Sequence, residues 1–434
     1  MVKKQELKRE LGLFQVTMAG VGYILGAGIY VLIGLAAGYA GNATWISFLL
    51  GSFAAIFTGL SYAELSSMMP RNASEFLYGK RSLGELFGFF GAFMMMFSAI
   101  LASTSVALGF AKYFSSMFGT DSIVLIAAGI IILLTYINWK SIKGSSNLNI
   151  LCTFAELGGL LIIIALALLY GSSVDLFEMP NGFGGVFKGA ALVFFAYLGF
   201  EGLVKLAEET KEPHKTIPQA LVLSIIITSL VYIAVAISAV SVLDWHELAA
   251  SKAPLADVAS KVMGSNAFIL LSIIALFSTA NTVLMGLVTS SRGLYGLATE
   301  FKKIGVFARV GNTGTPTNAV VITAIVAILF LLIGSISIVA ELTNFTIFMT
   351  FIIVNLSVIF LRLKEPRAKR PFKVPLSIGR VPILPVLGIL TVIFLTLNLE
   401  PYVIIGGIIF SLLVVPLYYF IRNHGGRTKN RKTI

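Results

Sequence analysis

Long apolar stretches follow one another almost without pause along this chain, and they leave few folds open. A helix needs about 20 residues to cross a hydrocarbon core of roughly 30 Å, with about 17 as the lower bound. Twelve stretches reach that range, at 14–38, 43–68, 84–118, 121–138, 148–171, 186–207, 216–243, 266–298, 318–334, 336–362, 382–399 and 402–422. Turn-forming or charged runs separate them, among them GNATW, MMPRNAS, KGSSN, EPHKTIP and a basic segment from Arg362 to Arg380. Composition agrees. The chain is 57% hydrophobic and 12% charged, where soluble domains carry about 25% charged residues. The expectation is an all-α polytopic membrane protein with twelve transmembrane helices.

Positive charge orients these spans. With the N-terminus in the cytoplasm, all 32 Lys and Arg residues except Lys112, Lys188, Lys252 and Lys261 fall on the cytoplasmic side, which is the bias that sets topology. Both tails, 1–13 and 423–434, are then cytoplasmic in a multi-pass cell-membrane protein. The net charge of +12 reads as an orientation signal with some attraction to anionic membrane lipids, not as a nucleic-acid surface. The N-terminal MVKKQELKRE leads into an apolar run too long for a signal peptide, with no cleavage site of small residues. The single cysteine, Cys152, can form neither an intrachain disulfide nor a metal site and reads as a packing residue. His214, His246 and His424 lie in loops or the tail. No Gly-x-Ser-x-Gly, P-loop or zinc motif stands in a loop where its chemistry works. No metal, no cofactor and no enzymatic activity are expected, and no ATP-driven pump within this chain.

Two spans carry interruptions. GYILGAGIYVLIG (22–34) places Gly22, Gly26, Gly28 and Gly34 inside span 1, and glycine weakens a helix interior by roughly 1 kcal/mol relative to alanine. FFAYLGFEG (194–202) interrupts span 6 at a similar depth but in the opposite direction. Two interrupted spans five helices apart give two five-helix halves of inverted topology. That pattern belongs to secondary transporters, whose binding site lies at the midplane where discontinuous helices meet. Unwinding exposes N–H groups that favour a carboxylate and C=O groups that favour an ammonium. An amino acid can be held this way by backbone alone. The other reading is that these glycines allow close helix packing, since Gly22 and Gly26 fit the GxxxG spacing.

GYILGAGIY, YAELSSMMP with SEFLY, GFEGLVKLAEETKEPHKTIPQAL (199–221), SSRGLYGLATE with GTPTNAVVIT, and VNLSVIFLRLKEPRAKRPFKVPL (354–376) occur in this order over most of the chain. Together they resemble the amino acid–polyamine–organocation permease superfamily. The resemblance implies the leucine-transporter-type (LeuT-type) fold. Helices 1–5 (14–171) and 6–10 (186–362) would form a 5+5 inverted repeat, followed by helices 11 and 12 (382–422). It also implies alternating access, with helices 1, 2, 6 and 7 rocking against a scaffold. By resemblance, Ile24, Gly26, Ala27 and Gly28 contact the substrate carboxylate through backbone. Phe195, Ala196, Leu198 and Gly199 offer carbonyls to the amino group and an aromatic wall. Ala27 departs from the serine of many members, which keeps the backbone role and removes a hydroxyl.

Glu156 stands in the apolar run NILCTFAELGGLLIIIALALL, about 12 Å up span 5 at the rise of a helix. Ionisable groups at that depth read as functional. Several relatives have a lysine at the matching place, beside helices 1 and 8, thought to stand in for a sodium ion; here the charge is opposite. Three readings stand: a proton carrier, a sodium ligand together with Ser278 or Thr279 and span 1 carbonyls, or a structural carboxyl that is permanently neutral. Asn281 can line the same cavity. Glu201, just past the span 6 break, is a gating or structural residue, and Glu64 and Glu341 lie nearer span ends, solvated or ion-paired. The expected function is secondary transport of an amino acid, by proton-coupled symport (or sodium-coupled) or by exchange. The alternatives are amino acid or polyamine exchange without ion coupling, and an amino acid sensor without turnover. Phe195 and its small apolar neighbours favour a neutral, apolar or small substrate. Oligomeric state is not set by the sequence.

Overall fold

The computed structural model describes residues 11–70, 74–140, 143–311 and 314–422. The ends at 1–10 and 423–434, Arg71, His424 and the side chains of Lys205 and Cys152 fall outside the described residues, and with them part of the charge count and the packing role expected of Cys152.

The chain is helical almost throughout, and its interruptions fall where the glycines are. Span 1 divides into α1 (Leu13–Leu25) and α2 (Gly28–Ala40). Gly41, at φ +63°, then opens a single 3-10 turn before α3 (Thr44–Met68). A short helix, α4 (Ser74–Ser82), precedes α5 (Glu85–Phe118), α6 (Ile123–Lys140) and α7 (Lys143–Tyr170). Span 6 begins as α8 (Gly182–Val193), tightens into a 3-10 turn at Phe194–Tyr197, breaks, and continues as a 3-10 segment over Phe200–Glu209. Next come α9 (Pro213–Val242), two short helices α10 (Trp245–Ala250) and α11 (Pro254–Met263), and α12 (Ser265–Glu300). The last elements are α13 (Thr317–Phe330), α14 (Ile336–Lys364), a two-residue hairpin (Ser377–Ile378 with Val381–Pro382), α15 (Ile383–Leu397) and α16 (Pro401–Arg422).

Local chemistry sets the ends. Asp244 caps α10 by accepting from His246 N–H at 2.8 Å, and Ser335 caps α14 by accepting from Ile338 N–H at 3.4 Å, each satisfying an orphan donor of a first turn. Pro213 and Pro254 open their helices, where the missing N–H costs nothing. Gly119 ends α5 in the left-handed region. The SEFLY stretch lies in α4, and α10 and α11 fill the polar segment between Asp244 and Ser265.

Among the described residues, nine helical stretches are long and apolar enough to cross a membrane; shorter apolar helices lie at Leu13–Leu25, Thr317–Ile333 and Ile383–Leu397. This is an all-α polytopic membrane protein. The most apolar part of α14 is 72% buried against 22% for α6 and α16, so α14 runs through the middle and the other two face outward.

The centre is aromatic. Tyr62 of α3 meets the rings of Tyr78, Phe200 and Phe351 edge-on. Polar groups also cross between helices. Asn355 of α14 accepts from Ser61 at 2.6 Å and donates to Thr58 at 3.1 Å, both on α3. One turn further, Glu64 takes both arms of Arg362 (Nε–Oε1 2.9 Å), lies 3.2 Å from Arg370 Nε and accepts from Val374 N–H at 2.8 Å. Glu64 is therefore ion-paired and wholly buried. Glu341, also buried, accepts from Glu400 N–H at 2.8 Å and from the Ser337 hydroxyl at 3.3 Å.

Candidate functional site

The first break lies between α1 and α2. Gly26 leaves the helix at φ −37°, ψ −165°, Ala27 is the N-cap of α2, and the first bond of α2 is Val31 N–H to Ala27 C=O at 3.0 Å. Gly28, Ile29 and Tyr30 are thus the first three residues of α2, and their N–H groups have no intrahelical acceptor. Ala27 has no side-chain oxygen to cap with. Its own N–H donates instead to Thr282 Oγ1 of α12 at 3.1 Å, and that hydroxyl donates to Ser278 C=O at 3.0 Å. A Cβ at Gly26 would lie 2.6 Å from Thr282 Oγ1, so glycine is required for this approach.

The second break follows Tyr197. Leu198 is extended (φ −62°, ψ 144°) and Gly199 has φ +122°, a region favourable only to glycine. The Gly199 N–H donates to the Glu201 carboxylate at 2.9 Å. Upstream, the carbonyls of Ala191 and Leu192 at the end of α8 accept from the Asn344 amide of α14 at 2.7 and 3.1 Å. Phe195 is 5% exposed and Ala196 2%.

The two breaks touch. A Cβ on Gly28 would sit 2.5 Å from Ala196 Cα, and one on Gly199 would sit 2.3 Å from the Tyr23 carbonyl. The Tyr232 hydroxyl of α9 stands between them, bonded to the Ile24 carbonyl at 2.5 Å and the Ala196 carbonyl at 2.9 Å. Ile24, Gly26, Ala27, Gly28, Phe195, Ala196, Leu198 and Gly199, expected together from the sequence, therefore form one locus. The glycines serve both readings of the sequence, since the backbone is unwound and the packing is close. Thr282, Asn344 and Tyr232 were not foreseen.

Glu156 of α7 is fully buried. Its backbone carbonyl accepts from the Tyr30 hydroxyl at 2.7 Å, and the Tyr113 hydroxyl in turn donates to the Tyr30 carbonyl at 2.9 Å. The Glu156 carboxyl faces Ser278 and Asn281 on α12, but neither of its oxygens has a partner in strict hydrogen-bonding geometry. Thr279, by contrast, spends its hydroxyl on the Ala275 and Leu276 carbonyls of its own helix at 2.7 and 3.1 Å. Ser278, Asn281 and Thr282 share one face of α12, at the i, i+3 and i+4 spacing of a helix. That face meets both Glu156 and the first break. Around the breaks the side chains are apolar: Ala27, Val31, Ile100, Leu284 and Phe195 belong to one buried cluster, with Leu198 packed on it. Among the described residues no three His, Cys, Asp or Glu side chains gather as metal ligands do.

The two helix breaks thus meet inside a buried, apolar part of the protein. The family described as amino acid permease matches residues 11–430. The chain belongs to the amino acid permease family. This permease lies within the amino acid–polyamine–organocation superfamily; it is a multi-pass cell-membrane transporter of amino acids and not an enzyme. It is similar to two proteins of Bacillus subtilis (strain 168). The branched-chain amino acid permease BcaP is 30% identical over 444 residues, which is 97% of this chain and 95% of that protein. The methylthioribose transporter is 29% identical over 408 residues, 89% of this chain and 87% of that protein. The cationic amino acid transporter 4 of Mus musculus is 26% identical over 385 residues, 83% of this chain and 60% of that protein.

Proposed function

We propose that this permease carries neutral, apolar amino acids by alternating access, coupled to a proton. The reading takes twelve membrane helices, arranged as a LeuT-type 5+5 inverted repeat (14–171 and 186–362) with helices 11 and 12 (382–422) appended and both termini cytoplasmic. The observation that carries it is the meeting of two helix breaks at Gly28 and Ala196, tied by one tyrosine hydroxyl. The N–H groups of Gly28, Ile29 and Tyr30 converge at a helix start, which favours a carboxylate. The Ile24 and Ala196 carbonyls each keep a second lone pair for an ammonium. The apolar cluster around the breaks, which includes Ala27, Val31, Phe195 and Leu284 with Leu198 packed on it, is free of charge, which suits a branched aliphatic side chain and offers no counter-ion to a basic one. The similarity to a branched-chain permease agrees.

Glu156 is the coupling residue in this reading. A fully buried carboxyl is costly to keep, and at membrane depth such a group marks function. Ser278 and Asn281 are its polar neighbours, and Glu201, which holds the Gly199 N–H, shapes the second break.

The test is uptake of a panel of labelled amino acids into proteoliposomes under a pH gradient, a sodium gradient or trans amino acid alone, with wild type and Glu156→Gln side by side. The expected result is leucine, isoleucine and valine uptake driven by the pH gradient. Glu156→Gln should bind substrate yet lose that dependence. Sodium-driven uptake, or a mutant that couples like wild type, refutes the proton assignment. No uptake of any amino acid under any gradient refutes the substrate class.

A further inference from the structure

The structure assigns Thr282 as a positioning residue: its hydroxyl, supplied from α12, caps the start of α2 and thereby fixes the N–H groups that receive a substrate carboxylate. The inference rests on the functional reading above and deepens it.

Three observations converge on this side chain. Ala27 occupies the N-cap of α2 with no capping side chain of its own, and alanine is among the poorest N-cap residues. The Thr282 hydroxyl accepts from Ala27 N–H at 3.1 Å and donates its one proton to Ser278 C=O at 3.0 Å. Its oxygen also fills the space where a Gly26 side chain would stand, 2.6 Å from that Cβ position. Gly26 and Thr282 are therefore a matched pair, in which one residue gives up its side chain to admit the other's hydroxyl. In a capping box the side chain that accepts from the N-cap N–H comes from the third residue of the same helix. Here it comes from a residue 255 positions away in the chain.

The consequence is geometric. With Ala27 N–H committed to Thr282, the donors left for a carboxylate are those of Gly28, Ile29 and Tyr30. Their direction is set by the angle at which α2 leaves Ala27, and Thr282 holds that angle. Loss of the hydroxyl frees the Ala27 N–H to compete for the carboxylate and lets the first turn of α2 tilt. The amino-group side of the site, built from the Ile24 and Ala196 carbonyls and Tyr232, does not depend on this bond.

The test separates carboxylate recognition from general damage. Leucine and leucinamide share an amine and a side chain, but only leucine has a carboxylate. Both are titrated against wild type, Thr282→Val and Thr282→Ser, reading ligand-induced thermal stabilisation and competition with labelled leucine. The expected result is that Thr282→Val weakens leucine by about tenfold and leaves leucinamide nearly unchanged, so their affinity ratio collapses. Thr282→Ser, which keeps the oxygen, restores the ratio. If Thr282→Val does not survive purification, Thr282→Cys, with a weaker acceptor of similar size, is expected to give an intermediate ratio. A wild-type ratio in either the Val or the Cys variant, or equal loss of both ligands, overturns the inference while leaving the functional reading intact. A wild-type protein that binds neither leucine nor leucinamide overturns the functional reading and this inference with it.

Discussion

Removing the Tyr232 hydroxyl tests the junction between the two breaks most directly. In Tyr232→Phe the ring stays and one oxygen goes. That oxygen has one hydrogen and faces two buried acceptors, Ile24 C=O at 2.5 Å and Ala196 C=O at 2.9 Å. A buried acceptor left without a donor costs about 1–3 kcal/mol. Two acceptors that shared one donor lie in the middle of that range, about 2 kcal/mol in total. Without the hydroxyl the breaks relax toward other donors, and a substrate must restore their geometry as it binds. A penalty of that size corresponds to about 30-fold in affinity. The assay is the KM for uptake in proteoliposomes, paired with ligand-induced thermal stabilisation of purified protein. Melting without ligand is the control for folding. A KM raised by tens of fold with a melting point close to wild type supports the reasoning. Unchanged or tighter binding refutes it, because Tyr232 would then be competing with the substrate's ammonium for these carbonyls instead of orienting them.

Other substitutions read other parts of the same design. Asn344→Ala removes the amide that bonds the Ala191 and Leu192 carbonyls and should cost about 1–3 kcal/mol, seen as a lower melting point and loss of uptake even at high substrate. Gly28→Ala places a Cβ 2.5 Å from the Ala196 backbone; overpacking of this kind costs about 1–3 kcal/mol, so melting and transport should fall together. A bulkier residue at Gly28 meets the same contact, so it should cost the fold as well as substrate binding. Glu64→Gln leaves Arg362 and Arg370 around an uncharged amide and should destabilise by about 3–5 kcal/mol, measured by thermal unfolding. Glu64→Gln with Arg362→Met should recover part of that loss, and no recovery would refute the ion-pair account.

The glycines and the long apolar runs made most of this structure legible. A run of about 20 apolar residues has few alternatives to a spanning helix, and Gly26, Gly28 and Gly199 mark the breaks because few positions inside a span tolerate so many glycines. Glu156 was legible for a similar reason, as an acid alone in an apolar run. What holds the breaks was not legible. Thr282, Asn344 and Tyr232 meet partners 255, 153 and 208 positions away, and nothing in their own neighbourhoods distinguishes them from other polar residues that bond back to their own helix, as Thr279 does. Short polar helices such as α4 and α10 give too few turns for their apolar period to stand out from a loop.

The α3–α14 contact bears on how the protein can move. Ser61, Thr58 and Asn355 bond across it, Glu64 and Arg362 close it with a buried ion pair, and Ser67 exchanges bonds with the Phe372 backbone at 3.2 and 3.3 Å. Parting these helices would strand two buried charges, so we expect α3 and α14 to travel as one piece through the transport cycle. A crosslink across that seam should leave uptake running. In the proposed repeat these are helices 2 and 10, so helix 10 would move with the rocking helices 1, 2, 6 and 7 and not with the scaffold. The halves of this permease would then share a weld, and the sliding surfaces that open the path must run around it.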